Sequence, residues 1–575
     1  MLVTCRGPLC DRPRPLGGVG EMGAARHLSR MTTRATRRPW RLLGGCAPMG
    51  DTTVQFDDRL SAFDYMMFRA DMDAHSRTSL MFIETLDAVP DFEALREQID
   101  RASRVVPRLR QRVVAPLLPL APARWVVDPD FSLGYHLRRV VLPGSGSLRE
   151  LLDLAEVLHS TPLDPGRPLW EATLVEGLDE PDAKAALLWK LSHTVTDGVG
   201  GMLLDQMIHQ ESRDPSPEPM PPVPVPQDVT PLELTQSAVR GLPQRLVLGS
   251  LSRAAGIARR AGSAVTDPRS AVGSAARTID DLRKLADSAA AEPSPLLRRR
   301  GLDHRFSTLD FPLADIRAAA KSHGCSVNDA YLAGIAGAMR IYHERLGVPV
   351  DSLNLAMPVN ARAGGDSTAG NQWSAITMAL PVAEPDVAKR MLAIRKSVLH
   401  ARSGSSIDPT AILAPVLSWL PQQLLAGTGT GSLGIDVQAS NVPGKVTERY
   451  IAGCRITRSV PIGPLPGVAM MATMVSFAGR CFVGVNYDTA AFSDSEALEQ
   501  ALAAGFDEVL GGGRGTAAIS STGTKASRMP AAAPASSSTP APSSTPASSS
   551  KPATSRTTAR KPAARKAPAA KDGDK

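Results

Sequence analysis

A single histidine between a predicted strand and a predicted helix constrains this chain more than any other feature. Residues 184–191 read KAALLWKL, a short apolar run bounded by charge that is typical of a buried β-strand. Residues 191–200 then read LSHTVTDGVG, and apolar residues at helical spacing follow over 202–208. We therefore predict that His193 lies in the turn that follows a buried strand.

An imidazole in this turn can carry chemistry. Histidine titrates near neutral pH, so a neutral His193 can take a proton from a hydroxyl group. Asp197 can hold the bend after the strand, and Gly198 permits backbone angles that a side chain forbids. The alternative is a turn histidine with purely structural hydrogen bonds, and the local spacing alone leaves both interpretations open.

The spacing His193-x-x-x-Asp197-Gly198 resembles the second half of the HHxxxDG signature of acyl-CoA-dependent acyltransferases. That superfamily includes the chloramphenicol acetyltransferase-like fold, condensation domains and the bacterial wax ester synthase/diacylglycerol acyltransferases. The chain resembles the last family most, over residues 51–511. One departure stands out, because Ser192 occupies the position of the first histidine of the signature.

Further segments resemble landmarks of the same family in the expected order. They read RLSAFD at 59–64, PLDPGRPLWE at 162–171, SVND at 326–329, LAMPVNAR at 355–362, GNQW at 370–373 and QASNVPG at 438–444. The last of these is predicted to be a loop that enters the next strand. The resemblance implies that Ser192, Asn328, Asp329 and Asn371 contribute to substrate binding.

Two of these residues also have structural explanations in the sequence. Ser326 and Asp329 have the spacing of a helix capping box, and capping accounts for Asp329 without contact to substrate. Asn371 either supplies an amide near substrate or satisfies a turn after Gly370, and the turn is favoured.

The resemblance implies a two-lobed chloramphenicol acetyltransferase-like α/β (α+β) fold with mixed sheets, helices and a central active-site tunnel. A chain of 575 residues is too long for one compact domain, and a proline-rich stretch at 215–226 separates two strand-and-helix regions. We predict an N-terminal lobe at 49–213, a connector with a basic helical crossover at 214–300, and a C-terminal lobe at 301–514.

Positive charge is concentrated at the two ends of the chain. Residues 1–48 carry nine Arg against two acidic side chains, and residues 515–575 carry ten Lys or Arg against two Asp. Both ends are predicted to be disordered, and translation is expected to begin at Met31 or Met49 unless the leader is a transit peptide. Because the net charge is +8, the remainder is acidic on balance, which argues against specific nucleic-acid binding. The basic tail either touches anionic surfaces loosely or is a solvated linker.

The predicted crossover is basic and partly amphipathic. Residues 230–300 hold twelve basic against six acidic side chains, with Val239, Leu242 and Leu246 on one helical face that Pro243 can interrupt. Such a segment either lies on an anionic membrane or lipid surface, or joins the lobes while solvating its outer face. No stretch approaches the roughly 18 apolar residues of a membrane span. We therefore expect a cytoplasmic protein, peripheral at most on the inner membrane surface or on lipid droplets.

The resemblance implies an acyl-CoA-dependent O-acyltransferase that moves a long-chain acyl group to diacylglycerol, to a fatty alcohol, or to both. His193 would be the general base, while Asp197 and Gly198 would support the motif. Acyl-CoA would serve as a co-substrate with no cofactor, and no metal is expected because no cysteine pair has metal-ligand spacing. The alternatives are an acyltransferase for another acceptor and a non-catalytic lipid-binding member. Because Ser192 replaces the first histidine, weaker activity or altered acceptor choice is expected.

Overall fold

A computed structural model of the chain describes residues 57–118, 120–195, 208–216, 219–248, 292–360, 373–403 and 434–511. The predicted leader and tail, most of the basic crossover, and the predicted helix over 202–207 lie outside these ranges. Three of the predicted site residues also lie outside them, namely Asp197, Gly198 and Asn371.

The helices follow the amphipathic segments of the sequence. A 3₁₀ helix spans Pro107–Arg110. The α-helices, numbered along the described chain, are α1 (Ala62–Ala70), α2 (Phe92–Val105), α3 (Leu133–His136), α4 (Leu148–Ser160), α5 (Pro231–Leu248), α6 (Leu313–Ser322), α7 (Val327–Arg345), α8 (Val387–Ser403) and α9 (Ser495–Leu510).

The strands follow the short apolar runs between these helices. They are β1 (Ser79–Leu86), β2 (Gln111–Val114), β3 (Arg124–Val127), β4 (Leu137–Val141), β5 (Trp170–Glu180), β6 (Ala183–Ser192), β7 (His304–Pro312), β8 (Ser352–Asn360), β9 (Trp373–Pro381), β10 (Val437–Pro443), β11 (Tyr450–Ile451), β12 (Cys454–Ile462), β13 (Met470–Phe477) and β14 (Arg480–Asp488).

Two mixed six-stranded sheets organise the described residues. The first sheet has the order β11-β12-β1-β6-β5-β4, and the second has the order β7-β14-β13-β10-β8-β9. Parallel pairs join β4 to β5, β8 to β10, and β10 to β13, whereas the other neighbours are antiparallel. Strands β2 and β3 form a separate hairpin. The predicted α/β class with two mixed sheets is confirmed.

Strand β6 lies in the middle of the first sheet, between β1 and β5. Nine of its ten residues are buried, which explains why the run is apolar almost throughout rather than alternating. Its one buried charge is Lys190, whose Nζ donates to the Leu158 carbonyl at 2.9 Å and to the Thr161 carbonyl. These carbonyls belong to the C-terminal turn of α4 and the residue after it, where a cation is favourable.

The C-terminal part of the chain completes the first sheet. Strand β12 pairs antiparallel with β1, with Ile462 opposite Met81. Immediately after β12 the chain returns to the second sheet, where Asn486 Nδ2 donates to the Gly463 carbonyl at 2.8 Å. A Cβ on Gly484 of β14 would lie 2.0 Å from the Pro461 carbonyl oxygen, so only glycine permits this approach. The sequence did not predict that β12, from the C-terminal part of the chain, pairs in the first sheet.

Helix α7 is buried along most of its length against α9. A Cβ on Gly505 of α9 would lie 2.3 Å from the Ala338 backbone nitrogen, so a glycine is needed where the two helices meet. Ser326 caps α7 by accepting from the Asp329 amide at 3.2 Å, and the Asp329 carboxylate accepts from the Ser326 amide at 2.8 Å. The predicted capping box is confirmed.

Two sequence predictions need correction or completion. The prediction of a loop at 438–444 is wrong, because residues 437–443 form the strand β10. The neighbouring strands β8 and β13 supply hydrogen-bond partners, which outweigh the preference of its Asn and Pro for a turn. Pro243 does not interrupt α5, which continues from Pro231 to Leu248. The proline removes one bond to the Val239 carbonyl, which lies on an exposed turn where water can replace it.

The elements that were not predicted from the sequence include α1, α3, α8, β2 and the 3₁₀ helix. Within the described ranges, no helix combines the length and the apolar character that crossing a bilayer requires.

Candidate active site

His193 directly follows the last residue of β6. The Ser192 amide donates to the Leu169 carbonyl at 3.0 Å, which fixes the end of the strand. The Val195 amide then donates back to the Ser192 carbonyl at 3.0 Å, and this bond closes a turn around His193 and Thr194. The structure therefore confirms that the histidine lies in a turn at the end of a buried strand.

The Ser192 hydroxyl lies at the centre of a chain of hydrogen bonds. Its oxygen accepts from the Thr194 amide at 3.2 Å, and its proton is donated to Asp71 Oδ2 at 2.5 Å. The other carboxylate oxygen of Asp71 accepts from the amide and the hydroxyl of Thr78, at 2.6 and 2.7 Å. Ser192 is fully buried, so its hydroxyl joins the turn to a carboxylate inside the protein.

Asp71 is placed there by α1, because it is the C-terminal cap of that helix. The helix begins at Ser61, whose hydroxyl accepts from the Asp64 amide at 3.0 Å and donates to the Asp64 carboxylate at 2.8 Å. The segment 59–64 resembles a family landmark in the sequence, but its helix was not predicted. The signal was present, since a serine three residues before an aspartate is a common start of a helix.

Burial and two carboxylates act in opposite directions on His193. Burial lowers the pKa of His193, because the charged imidazolium loses solvation. A backbone hydrogen bond and the negative charges of Asp71 and Asp64 raise the pKa, although burial has the larger effect. The pKa of His193 therefore lies below its ordinary value, and a neutral ring able to accept a proton predominates at neutral pH.

Burial also raises the pKa of Asp71, whereas its bonds from Ser192 and Thr78 and the charge of His193 lower it. Burial has the larger effect on this carboxyl as well. Two of its three donors are hydroxyls and the third is a backbone N–H, which can only donate. The carboxylate is thus arranged as an acceptor at both oxygens, next to the imidazole.

The predicted residues of the second sheet lie in a different environment. Asn328 Nδ2 is 3.5 Å from the Met357 sulfur, and Asp329 caps α7, with Arg395 at 4.0 Å. Among the described residues, these contacts keep Asn328 and Asp329 with α7, β8 and α8. Their role in substrate binding stays a prediction, as do the roles of Asp197, Gly198 and Asn371 outside the described ranges.

The structure adds two residues that the sequence did not indicate, Asp71 and Thr78. Neither belongs to a motif, and Asp71 is 121 positions before Ser192 in the chain. The register of the first sheet brings them together, because Ser79 of β1 lies opposite Ser192 of β6. Only the pairing of these two strands reveals that Thr78 and Asp71 border the turn.

Comparisons with known proteins identify the family. Residues 60–331 match the wax ester synthase/diacylglycerol acyltransferase catalytic domain, and residues 369–509 match the C-terminal domain of the same family. A Mycobacterium tuberculosis H37Rv protein provisionally named a diacylglycerol O-acyltransferase is 47% identical over 457 residues, or 79% of this chain and 92% of the relative. Another protein of that strain with the same provisional name is 27% identical over 476 residues, or 80% and 98% of the two chains.

The fold is also that of a solved structure. The wax ester synthase/diacylglycerol acyltransferase from Marinobacter aquaeolei VT8 aligns with a TM-score of 0.55 and 21% identity, over 78% of this chain and 98% of its own. Sequence and fold agree, and the chain belongs to the wax ester synthase/diacylglycerol acyltransferase family.

Proposed function

We propose that this protein is an acyl-CoA-dependent O-acyltransferase, which transfers a long-chain acyl group to diacylglycerol, to a fatty alcohol, or to both. The observation that carries the proposal is His193. It is a half-buried, mainly neutral imidazole in the turn after β6, and two carboxylates act on it. The family to which the chain belongs supplies the substrate class.

In the proposed reaction, His193 takes the proton of the acceptor hydroxyl as that oxygen attacks the thioester carbonyl of acyl-CoA. The carbon–oxygen bond forms, the carbonyl π electrons move to oxygen, and a tetrahedral intermediate results. Its collapse breaks the carbon–sulfur bond. The CoA thiolate leaves with the electron pair and takes the proton from the imidazolium, which restores His193. Acyl-CoA is a co-substrate here, and no further cofactor enters the proposed steps.

Direct transfer suits this chain better than transfer through a cysteine. Burial raises the pKa of the three cysteines in the described ranges, Cys325, Cys454 and Cys481, and brings the last to about 11. The thiolate is the nucleophilic form of a cysteine, and a raised pKa makes the thiolate scarcer at neutral pH. No cysteine of the described ranges has a lowered pKa, whereas His193 has the properties of a base.

Purified full-length protein is the direct test. Release of CoA from palmitoyl-CoA would be measured with dioleoylglycerol or hexadecanol as acceptor, beside His193→Ala. We expect release that depends on the acceptor and falls by about 10²–10⁴ in the variant, the usual contribution of general-base catalysis. Folded protein that releases no CoA with either acceptor would sink the proposal and favour the non-catalytic lipid-binding alternative. Release with neither lipid but with another alcohol or amine would favour a different acceptor.

We further propose that the protein meets its lipid substrates at an anionic membrane or droplet surface on the cytoplasmic side. Four exposed apolar side chains support this, and we call them the hairpin–helix patch: Leu117, Leu118, Leu232 and Val239. Leu117 and Leu118 follow β2, whereas Leu232 and Val239 lie on α5. Thr235 of α5 links the two segments, because its hydroxyl accepts from the Leu117 amide at 2.8 Å. The exposed Arg240 and the basic excess of residues 230–300 complement anionic lipid headgroups.

Vesicle flotation tests the patch. With full-length protein, Leu117→Asp combined with Leu118→Asp should reduce partition into phosphatidylglycerol-containing vesicles by about tenfold or more, since two apolar anchors become charged. Val446→Asp is the matched control, because Val446 is 87% exposed on the loop between β10 and β11. Equal flotation of the double variant and the wild type would rule the patch out as the contact.

A further inference from the structure

The departure of this chain from the family signature has a structural counterpart. Ser192 occupies the position of the first histidine of the signature. Its side chain is fully buried, and its hydroxyl donates directly to the Asp71 carboxylate. The direction of each bond follows from the donors. The Thr194 amide can only donate, so it occupies a lone pair of Ser192 and leaves the serine proton for Asp71.

Asp71 itself is held from the other side. Both donors of Thr78 go to Oδ1, and the Arg77 side chain reaches the Asp71 carbonyl at 3.4 Å and the Ser160 carbonyl at 2.5 Å. The carboxylate therefore has little freedom to rotate or withdraw. A charge fixed in this way does not need to reorganise when charge develops beside it.

Among the described residues, the charged groups near the turn include groups of α1, of β6 and of the segment before β1. Asp64 and Asp71, at the two ends of α1, both act on His193. Lys190 of β6 is acted on by Asp71 in turn, and burial lowers the pKa of Lys190 to about 8. Arg77, before β1, adds a further positive charge that acts on Lys190. Asp71 is the group in this set that is also tied by hydrogen bonds to the residue next to His193.

We propose that Asp71 is a positioning residue of the acyl transfer, which acts through Ser192 on the turn and through its charge on the imidazolium of His193. Asp71 does not touch substrate. It holds the base in place and stabilises the charge that His193 gains when it takes the acceptor proton. The inference rests on the proposed function, since that proton transfer is part of it.

Replacement of Asp71 by asparagine tests the inference with nearly unchanged shape. Because Asp71 raises the pKa of His193, Asp71→Asn lowers it, and catalysis requires the neutral imidazole. The acid limb of kcat/KM should therefore move to lower pH, by about half a unit or more. At the plateau, kcat should fall about threefold or more, the rate equivalent of half a pKa unit of lost stabilisation.

The matched control is Asp100→Asn. Asp100 lies on α2 and accepts from Arg104 and Arg110, both at 2.5 Å, so its replacement also removes a part-buried, hydrogen-bonded carboxylate. We expect it to change the melting temperature without moving the pH profile. An acid limb that stays in place in Asp71→Asn, or moves equally in Asp100→Asn, would refute a specific role for Asp71.

A double-mutant cycle with Ser192→Ala tests the path of the effect. If Asp71 acts through Ser192, the losses of kcat in Ser192→Ala and Asp71→Asn should be clearly less than multiplicative in the double variant. Multiplicative losses would mean that the two residues act separately and would overturn that part of the inference.

A readout without turnover separates this inference from the proposed function. An NMR titration of the histidine ring protons, with His193→Gln to assign the His193 signal, gives the pKa of His193 directly. A lower pKa in Asp71→Asn supports the electrostatic pair even in a protein that releases no CoA. An unchanged pKa in an active enzyme refutes the pair and leaves the acyltransferase proposal standing.

Discussion

Two serine–aspartate pairs, one in each half of the chain, lie at the ends of secondary-structure elements. One pair begins a helix, and the other ends a strand. In the second half, Ser326 and Asp329 bond to each other's amides and start α7. In the first half, Ser192 donates to Asp71 and ends β6. The residue types are the same, but Ser326 and Asp329 are three positions apart, whereas Ser192 and Asp71 are 121 positions apart.

The two pairs differ in what they stabilise: one stabilises a single helix, and the other links segments that are distant in the sequence. Ser326 is exposed, and its bonds satisfy amides that the first turn of any helix leaves open. Ser192 is fully buried, and its bond fixes a turn that contains a titratable side chain. A cap stabilises the element that it begins. A buried pair beside an imidazole also sets the charge environment of the base.

Restoring the family residue sharpens this comparison and should give the larger effect. In Ser192→His, an imidazole N–H can still donate to Asp71, so we expect acyl transfer to rise by about threefold or more, or the ratio of diacylglycerol to hexadecanol use to change. The larger ring enters a fully buried site, which costs about 1–3 kcal/mol of the free energy of unfolding. Initial rates would be measured per folded molecule with both acceptors.

Ser192→Thr is the control for that variant, because it adds a methyl group and keeps the hydroxyl that reaches Asp71. Its rate and acceptor ratio should stay close to those of the wild type. Unaltered rate and acceptor preference in Ser192→His would remove any functional meaning from the departure at position 192.

Local patterns in the sequence predicted the elements whose causes are local. The capping box of Ser326 and Asp329 lies where its spacing predicts it, because its hydrogen bonds are made within three positions. The strand 437–443 was predicted as a loop, since its Asn, Pro and Gly signals are local and its partners β8 and β13 are not. Pairing with distant strands decided its structure.

The same distinction applies to the site. His193 was predicted from a motif that a strand-end turn makes visible in one stretch of sequence. Asp71 was not predicted, because nothing within ten residues of it marks a functional carboxylate. Its role depends on the register that places Ser79 opposite Ser192, and on a helix that ends beside that pair. The sequence indicated the proposed base, His193, but not Asp71, the residue that we propose acts on it.

The smallest effect is expected at the local pair. Ser326→Ala removes the acceptor of the Asp329 amide, so the free energy of unfolding should fall by about 1 kcal/mol, as for other helix caps. Ser322→Ala, at an exposed serine at the end of α6, is the control and should change it by less than about 0.5 kcal/mol. Chemical denaturation measures both. Because the hydrogen bonds of the cap are made within residues 326–329, kcat per folded molecule should be unchanged in either variant. A loss of kcat in Ser326→Ala at unchanged stability would bring Asp329 into the substrate site and end the distinction between the two pairs.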